Sequence, residues 1–300
     1  MIASGSSPFS AAPSAGLRDH VAVVTGASRG TGRAIALALG AAGATVYVTG
    51  RSRRGGPTTD GLPGTIDDTA EAVTARGGHG IAVRCDHTVD ADVAALFRRV
   101  QAGHGRLDLL VNNAWGGYEQ HAVATFTAPF WEQPLAERWD GMFVAGVRAH
   151  VTASRCAAPL MLSRRRGLIV STVAWAFDKY LGNLVYDMAK AATIRMTFGM
   201  AEELRPHGVV AVALAPGFVR TERVLTAHAA QPFDLSSTES TDYIGRAVTA
   251  LAGDRTVLAK SGRLLTVGDL AREYGFTDRD GRQPEPFTLA DDGRCSRGEI

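Results

Sequence analysis

Cysteine is scarce in this sequence, and the few cysteines form no recognisable pattern. Cys85, Cys156 and Cys295 are the only three, and their odd count and wide spacing match neither a disulfide framework nor a metal site. Such cysteine usage is typical of a reducing compartment, so we expect a cytoplasmic protein without a bound metal.

Long apolar runs and a dominant charge sign are absent as well. No apolar stretch is long enough to cross a bilayer. The formal net charge is only +2, so we expect neither a nucleic acid nor an anionic membrane as a partner. Residues 1–17 are rich in Ser, Ala, Gly and Pro but lack the basic start and apolar core of a secretory signal, which predicts a disordered leader.

Apolar, β-branched segments alternate with segments of helical composition along the chain. Runs such as Val21–Val24 are typical of buried parallel strands. The alternation continues without a linker or repeat over residues 18–275, which predicts a single-domain Rossmann-type α/β fold. In that fold a doubly wound sheet of about seven parallel strands is flanked by helices. Residues 276–300 are charged and broken by Gly and Pro, which predicts a surface tail.

The first strand runs directly into a glycine-rich turn that opens a helix. Strand, glycine turn and helix together are the context of a dinucleotide-binding fingerprint. Gly26 permits the tight turn, Gly30 lets the backbone approach a pyrophosphate, and Gly32 lets the helix pack close to the strand. The N-terminus of the helix offers free N–H groups to the phosphates. The cofactor-binding residues predicted in this turn are Gly26, Ser28, Arg29, Gly30, Thr31 and Gly32.

The second strand ends without an acidic residue. A site for NAD usually has an acid there to hold the ribose hydroxyls, whereas this chain has Arg51, Arg53 and Arg54. An arginine can hold a 2′-phosphate through two hydrogen bonds, and an acid would repel it. Arg51, with Arg29 on the same side, therefore favours NADP(H) over NAD(H). Arg53 and Arg54 are equally typical of a solvated loop.

Polar residues also follow the next two strands. Asp86 comes after the third strand, where it either receives the adenine amino group or forms a simple turn. Asn112, Asn113 and Ala114 come after the fourth strand. Asparagine at such a position either ties neighbouring strands together or lines the cofactor cleft.

Tyr186 and Lys190 are four residues apart, which places them on one face of a helix. An ammonium beside a phenol favours the phenolate, so we expect a lowered pKa for Tyr186. Such a tyrosine can pass a proton to or from a carbonyl or hydroxyl oxygen. Taken alone, the pattern is also typical of an exposed tyrosine above a lysine.

Four motifs stand in order along the chain: Thr25-Gly-Ala-Ser-Arg-Gly-Thr-Gly32, Asn112-Asn-Ala114, Tyr186-x-x-x-Lys190 and Pro216-Gly-x-x-x-Thr221. On these motifs the chain resembles the short-chain dehydrogenase/reductase family over nearly its whole length. More narrowly, it is similar to the subgroup around human dehydrogenase/reductase member one and its bacterial relatives. The segments that carry this narrower likeness are Asn112-Asn-Ala-Trp115, Phe130-Trp-Glu132 and Asp269-Leu-Ala-Arg-Glu-Tyr-Gly275.

The resemblance implies roles for particular residues. Tyr186 would be the proton donor, and Lys190 would lower its pKa and hold the nicotinamide ribose. Thr221 and the backbone after Pro216 would fix the carboxamide. The resemblance also implies a homodimer or homotetramer built through the helices after the fourth and fifth strands. It completes the predicted cofactor-binding set with Asn113, Ala114, Lys190, Pro216, Gly217 and Thr221.

Two positions depart from the family pattern. The family usually has a serine thirteen residues before the tyrosine, which hydrogen-bonds the substrate oxygen. Here that position is Val173, followed by Ala174. Ser171 lies two residues earlier, on the same strand face but deeper. The family's asparagine that anchors a water for proton relay corresponds to Gly146 when the helix is aligned on Trp139.

The missing serine calls for a replacement if the chain is a reductase. Loss of one donor to a developing oxyanion typically slows a reaction by about two to three orders of magnitude. Candidates lie in the loop over residues 175–183, which holds Asp178, Lys179 and Tyr180, and in the loop over residues 115–138.

Three kinds of function remain open. The first is an NADP(H)-dependent oxidoreductase that moves a hydride between the nicotinamide and a ketone or secondary alcohol. The second is a non-redox acid/base enzyme, such as an isomerase, dehydratase or cyclase, that uses Tyr186 and Lys190. The third is a protein that only binds NADP, which would not need the tyrosine. Four aromatic residues, Trp115, Phe130, Trp131 and Trp175, either form a pocket for a partly aromatic or apolar substrate or belong to the core.

Overall fold

Seven short apolar segments form one parallel sheet. The computed structural model describes residues 16–119, 126–176 and 179–289. The order across the sheet is β3-β2-β1-β4-β5-β6-β7, and all neighbours are parallel, so the predicted fold is confirmed. The strands are β1 (Val21–Val24), β2 (Thr45–Gly50), β3 (His79–Arg84), β4 (Leu109–Asn112), β5 (Gly167–Thr172), β6 (Val209–Ala215) and β7 (Leu264–Thr266).

Helices connect the strands and cover both faces of the sheet. A π-helical segment, Asp140–Arg148, joins α4 to α5 without a break. No helix in the described part of the chain has the length and apolarity needed to span a membrane. The helices are α1 (Gly30–Ala41), α2 (Ile66–Ala75), α3 (Asp90–His104), α4 (Leu135–Trp139), α5 (Ala149–Leu162), α6 (Leu184–Leu204), α7 (Glu222–Ala230), α8 (Thr241–Gly253) and α9 (Val267–Tyr274).

The sheet has a buried apolar cluster on each face. Val23 and Val24 are neighbours in β1 but belong to different clusters, because successive side chains of a strand point to opposite faces. Val24 shares its cluster with Ile35 of α1 and Ile244 of α8. Val23 shares the other with Phe97 of α3. Burial on both faces explains why the strands are continuous apolar runs.

Local signals place the helix ends. Thr65 caps α2, since its hydroxyl accepts the N–H of Asp68 at 3.1 Å. Thr266 caps α9 in the same way by accepting the N–H of Asp269. Sequence reasoning missed α9 because the apolar run of β7 continues into Val267, which is the first residue of the helix.

Both ends of the described chain are tied to the domain. The N–H of Leu17 donates to the carbonyl of Ala42, and its side chain is buried. Asp278, only 1% exposed, accepts hydrogen bonds from the backbone N–H and hydroxyl of Ser240. Residues 1–15 of the predicted leader and 290–300 of the predicted tail lie outside the described residues.

The chain order reverses between β1 and β4, and this reversal creates the cleft. β1 pairs with β2 on one side and with β4 on the other. In open parallel sheets, such a switch point leaves a crevice at the carboxyl ends of the strands, where ligands bind. The glycine turn after β1 and Asn113-Ala114 after β4 lie at this point.

Candidate active site

The glycine turn is packed too closely for side chains at two of its positions. A Cβ atom on Gly32 would lie 2.3 Å from the carbonyl oxygen of Gly26. A Cβ on Gly26, whose φ is +64°, would lie 2.9 Å from Cα of Ala114. Glycine therefore lets α1 start directly above the end of β1, with the end of β4 beside it.

Asn113 holds the turn in this position. Its side-chain amide donates to the carbonyls of Thr25 at 3.0 Å and Gly26 at 3.2 Å. Its Oδ1 accepts the hydroxyl of Thr31 at 2.8 Å. In return, Oγ1 of Thr25 accepts the N–H groups of Asn113 and Ala114. Of the two roles considered for asparagine here, the structure shows the tying of neighbouring strands.

An anionic group sits at the N-terminus of α1. The N–H of Gly30 donates to Oε2 of Glu222, the first residue of α7, at 2.9 Å. Free N–H groups and the helix dipole favour negative charge at this end of a helix. The Glu222 carboxylate is an anion at the place where the turn would bind a phosphate group, so these residues fit a phosphate-bearing cofactor. Ser28, in the same turn, is 7% exposed.

Arg29 is engaged with the loop after β2 in this structure. Its guanidinium donates to Oγ of Ser52 at 3.0 Å. It also donates to the carbonyls of Leu62, Pro63 and Gly64. Arg29 therefore holds this loop against the glycine turn.

The arginines at the end of β2 differ in their partners. Arg51 forms an ion pair with Glu119, from the segment after β4. Arg54 pairs with Asp68 and Glu71 of α2, as expected of a solvated loop. Arg53, with a side chain 58% exposed, lies 3.7 Å from a carboxylate of the same helix.

Asp86 takes part in a local turn. Its Oδ1 accepts the backbone N–H of Thr88 at 3.0 Å and the hydroxyl of the same residue at 2.7 Å. This geometry matches the simple turn, one of the two roles considered for it.

Tyr186 and Lys190 stand in the first two turns of α6. Both are 8% exposed. Asn183 caps the helix, since its Oδ1 accepts the N–H of Tyr186 at 2.9 Å. The amide of Asn183 also donates to the carbonyl of Phe126 at 2.7 Å and to Oε1 of Gln133 at 2.9 Å. One capping residue thus joins α6 to the aromatic segment after β4.

Aromatic rings surround Tyr186. The ring centroids of Trp115, Phe126 and Tyr118 lie 5.6, 5.4 and 6.0 Å from its own. Nζ of Lys190 lies 3.3 Å from the centroid of the Trp115 ring but 5.3 Å from that of Tyr186. The ammonium therefore rests on the indole face, which attracts a cation.

The expected lowering of the Tyr186 pKa is wrong for this chain. Burial raises the pKa of Tyr186 well above its ordinary value of 10.0, and the neighbouring Tyr118 raises it further. Burial also lowers the pKa of Lys190 from 10.5 to about 7. Because a low-polarity site disfavours both charged forms, desolvation outweighs attraction between the two groups.

Val173 and Ala174, which stand where the family usually has a serine, lie in apolar surroundings. Val173 is buried with Ala213 and Ala215 of β6, whereas Ala174 packs against the cluster that holds Tyr186. Ser171 is fully buried, and its hydroxyl lies within hydrogen-bond distance of the Asn112 amide.

Gly146 leaves room for an indole ring. A Cβ atom at this position would lie 2.5 Å from Cζ3 of Trp115. The space over the π-helical segment is thus filled by the same ring that holds Lys190.

A hydroxyl stands directly beside that of Tyr186. The OH of Tyr118 donates to the OH of Tyr186 at 3.0 Å. Tyr118 is 39% exposed, so it lies between solvent and the buried Tyr186.

Of the four aromatic residues suggested for a pocket, only Trp115 belongs to the cluster around Tyr186. Phe130 and Trp131 are 57% and 72% exposed and contact each other. Trp175 packs with the group that contains Val173. Phe130 and Trp131 therefore lie neither in the core nor in the cluster around Tyr186.

A buried acid, Glu239, holds the segment after β6 in place. The carboxylate of Glu239 hydrogen-bonds the N–H of Gly217, the residue after Pro216, and burial raises the pKa of this carboxyl to about 7. The backbone N–H of Glu239 donates to the carbonyl of Phe218. Thr221 then caps α7 by accepting the N–H of Val224 at 3.4 Å.

Some of these residues escaped sequence reasoning. Asn183 carried a signal, because Asn before a helical run is a typical N-cap. Tyr118, Glu222 and Glu239 carried none, since their contacts join segments far apart in the chain. Among the described residues, no group of three or more His, Cys, Asp or Glu side chains could hold a metal ion.

Comparison with known proteins identifies the family. The family model described as short chain dehydrogenase matches residues 20–231. The chain belongs to the short-chain dehydrogenase family. This is a family of oxidoreductases that typically use a nicotinamide cofactor.

Individual members of the family align over most of the chain. Dehydrogenase/reductase SDR family member 1 of mouse is 41% identical over 283 residues, and that of human 40% over 284; each alignment covers 90% of this chain and 87% of the relative. The crystal structure of a short chain dehydrogenase from Mycobacterium thermoresistibile superposes with a TM-score of 0.75 at 26% identity, over 91% of this chain and 95% of that one. The crystal structure of hydroxysteroid dehydrogenase from Escherichia coli superposes with a TM-score of 0.69 at 25% identity, over 84% of this chain and 97% of that one.

Because Trp115 fills the space beside Gly146, a single methyl group added at this position is expected to lower the stability of the protein. Gly146→Ala is expected to destabilise the protein by about 1–3 kcal/mol, because the new Cβ overlaps the indole. Gly199→Ala is the matched control: this glycine lies in α6 with nothing within 4 Å of its Cβ position, so the change should stabilise by roughly 0.5–1 kcal/mol. Urea unfolding of both variants tests this. Equal stabilities would contradict the packing described.

The buried lysine predicts a pH-dependent stability. Below its folded pKa of about 7, Lys190 is charged and buried, at its full desolvation cost. As the pH rises from there toward 10.5, the unfolded chain keeps a proton that the folded protein has released, so the folded protein gains stability. Lys190→Met should therefore be more stable than wild type by a few kcal/mol at about pH 6, at about 1.4 kcal/mol per pKa unit, and by much less at about pH 10.

Urea unfolding at both pH values measures this difference. Lys260→Met is the control, because Lys260 is ion-paired with Glu273 and its removal should bring no gain. A Lys190→Met variant that is less stable than wild type at the lower pH would refute the account.

Proposed function

We propose that this protein is an NADP(H)-dependent oxidoreductase that acts on a ketone or secondary alcohol, with Tyr186 as the proton donor and acceptor. The observation that carries the proposal is the pairing of a buried Tyr186 with Lys190 at a cleft whose glycine turn fits a phosphate-bearing cofactor. When bound, the nicotinamide cofactor would supply or accept the hydride. The chain's own residues would then orient the substrate, exclude water and move the proton.

The raised pKa of Tyr186 supports a role as proton donor. A phenol with a raised pKa stays protonated at neutral pH. Such a group can donate its proton to an oxygen that becomes an alkoxide, but it is a poor base toward an alcohol. Lys190, with a pKa of about 7, would be positioned by Trp115 to hold the ribose hydroxyls.

The choice of NADP(H) is supported by the end of β2. The acid that usually marks an NAD site is absent there, and Arg51 is still 40% exposed in its side chain. A 2′-phosphate, with more charge than a single carboxylate, would replace Glu119 as the partner of Arg51.

The surroundings of Tyr186 support a substrate with an apolar part. Trp115, Phe126 and Tyr118 present rings toward the tyrosine, while Ala174 and Leu181 pack against the same cluster. Such a lining favours an alkyl or aryl ketone over a sugar or an acid.

The cofactor preference gives the next prediction. We expect NADPH to bind clearly tighter than NADH, and Arg51→Ala to weaken NADPH by about 10- to 100-fold, since a hydrogen bond to a charged group is worth about 1.5–3 kcal/mol. Binding of NADH should change little. Titration of NADPH fluorescence measures both constants. Arg53→Ala serves as the control, and equal affinity of the wild type for the two cofactors would refute the preference.

The reaction itself is tested by the absorbance of NADPH with a panel of aliphatic and aromatic ketones. We expect oxidation of NADPH that falls by about 10²–10⁴-fold in Tyr186→Phe, because general acid catalysis is lost. Binding of NADPH by this variant should persist, since the hydroxyl is not needed to hold the phosphates. Tight binding of NADPH by the wild type without turnover of any ketone would instead favour non-redox acid/base chemistry at Tyr186.

A further inference from the structure

We infer that Tyr118 is a second catalytic residue, which donates a hydrogen bond to the substrate oxygen alongside Tyr186. Tyr118 would thereby replace the serine that the family usually has at the position of Val173. This inference rests on the proposed function, ketone reduction with Tyr186 as proton donor.

The distance between the two hydroxyls carries the inference. The two phenolic oxygens are 3.0 Å apart. A third oxygen placed at hydrogen-bond distance from both completes a nearly equilateral triangle, so one carbonyl oxygen can accept from both. A pair of donors that converge on one oxygen is the arrangement that stabilises a developing alkoxide.

The end of β5 offers no such donor among its described residues. Neither Val173 nor Ala174 has a side-chain donor. The hydroxyl of Ser171 is fully buried beside the Asn112 amide, and that of Thr172 donates to the carbonyl of Asn112 at 3.3 Å. The hydroxyl groups of this strand are therefore turned into the sheet rather than toward Tyr186.

Tyr118 is held where an incoming substrate would meet it. Its ring lies 6.2 Å from that of Trp115 and 6.1 Å from that of Phe126. The next residue, Glu119, donates its N–H to the carbonyl of Gly116 at 3.0 Å and pairs its carboxylate with Arg51. The turn is thus fixed on both sides of Tyr118, while 39% of the tyrosine faces solvent at the mouth of the site.

The phenols of Tyr186 and Tyr118 would have different roles in the reaction. As the carbonyl carbon would gain a hydride from the reduced nicotinamide, the C=O π electrons would move to oxygen and the cofactor would be oxidised by two electrons. Tyr186 breaks its O–H bond and gives that proton to the oxygen. Tyr118 keeps its own proton throughout and stabilises the negative charge through its hydrogen bond, since burial raises the pKa of this phenol above its ordinary value of 10.0.

Removal of one oxygen atom tests the assignment. Tyr118→Phe keeps the ring and its packing but deletes the donor, so kcat for ketone reduction should fall by about 10²–10³-fold. KM and the Kd for NADPH should stay within about threefold of wild type, because the lost contact strengthens only in the transition state. Tyr180→Phe is the matched control: Tyr180 lies in the other loop considered for the replacement and is 50% exposed, and its loss should leave kcat unchanged.

A second variant separates lost chemistry from lost structure. Ala174 lies two residues after the end of β5 and packs against the cluster around Tyr186. In Tyr118→Phe/Ala174→Ser, a hydroxyl returns near the family position, and kcat should recover by about tenfold over the single variant.

The outcomes distinguish this inference from the proposed function. Wild-type turnover that is lost in Tyr186→Phe but kept within about threefold in Tyr118→Phe overturns only the role of Tyr118. The same conclusion follows if Tyr180→Phe, and not Tyr118→Phe, loses kcat. Absence of turnover in the wild type rejects the proposed function and this inference together.

Discussion

The contact between the Lys190 ammonium and the face of Trp115 governs the rest of the site. At 3.3 Å from the ring centroid, the cation is held by the indole and not by the phenol of Tyr186. The ring needs space, which a glycine at position 146 provides, since any Cβ there would overlap it. Trp115 in turn packs edge-on against Tyr186. One aromatic residue after β4 thus fixes the lysine, the tyrosine and the shape of the facing helix.

This arrangement makes the site poorer in polar groups than the family pattern implies. A dry aromatic surround penalises both the phenolate and the ammonium, which is why the pKa of Tyr186 is raised and that of Lys190 is lowered. At neutral pH the phenol of Tyr186 therefore keeps its proton, which a proton donor requires. The same dryness strengthens any hydrogen bond formed inside, because the local dielectric is low. The aromatic surroundings therefore account both for the small number of polar groups in the site and for the strength of the hydrogen bonds that the remaining groups form.

The sequence was informative where function depends on neighbours in the chain. The strands, the cap at Thr65 and the close packing of Gly32 follow from local patterns, and the four ordered motifs were enough to predict the fold. The environment of Tyr186 was not predictable in this way. Its helix spacing from Lys190 suggested an interaction between the two, but burial and Trp115, which lies 75 positions from Lys190 in the sequence, determine what the lysine contacts. Contacts such as Gly30 with Glu222 depend on the packing of distant elements and leave no local signal.

Two carboxylates connect the cofactor cleft to the rest of the protein. Glu222 accepts the N–H of Gly30 at the start of α1, and it directly follows Thr221, the cap of α7. Glu119 pairs with Arg51 at the end of β2, and it directly follows Tyr118. An anion that bound at either place would compete with a carboxylate that is one peptide unit from Thr221 or Tyr118. Because a peptide unit is short and planar, a shift of either carboxylate would also displace the neighbouring Thr221 or Tyr118.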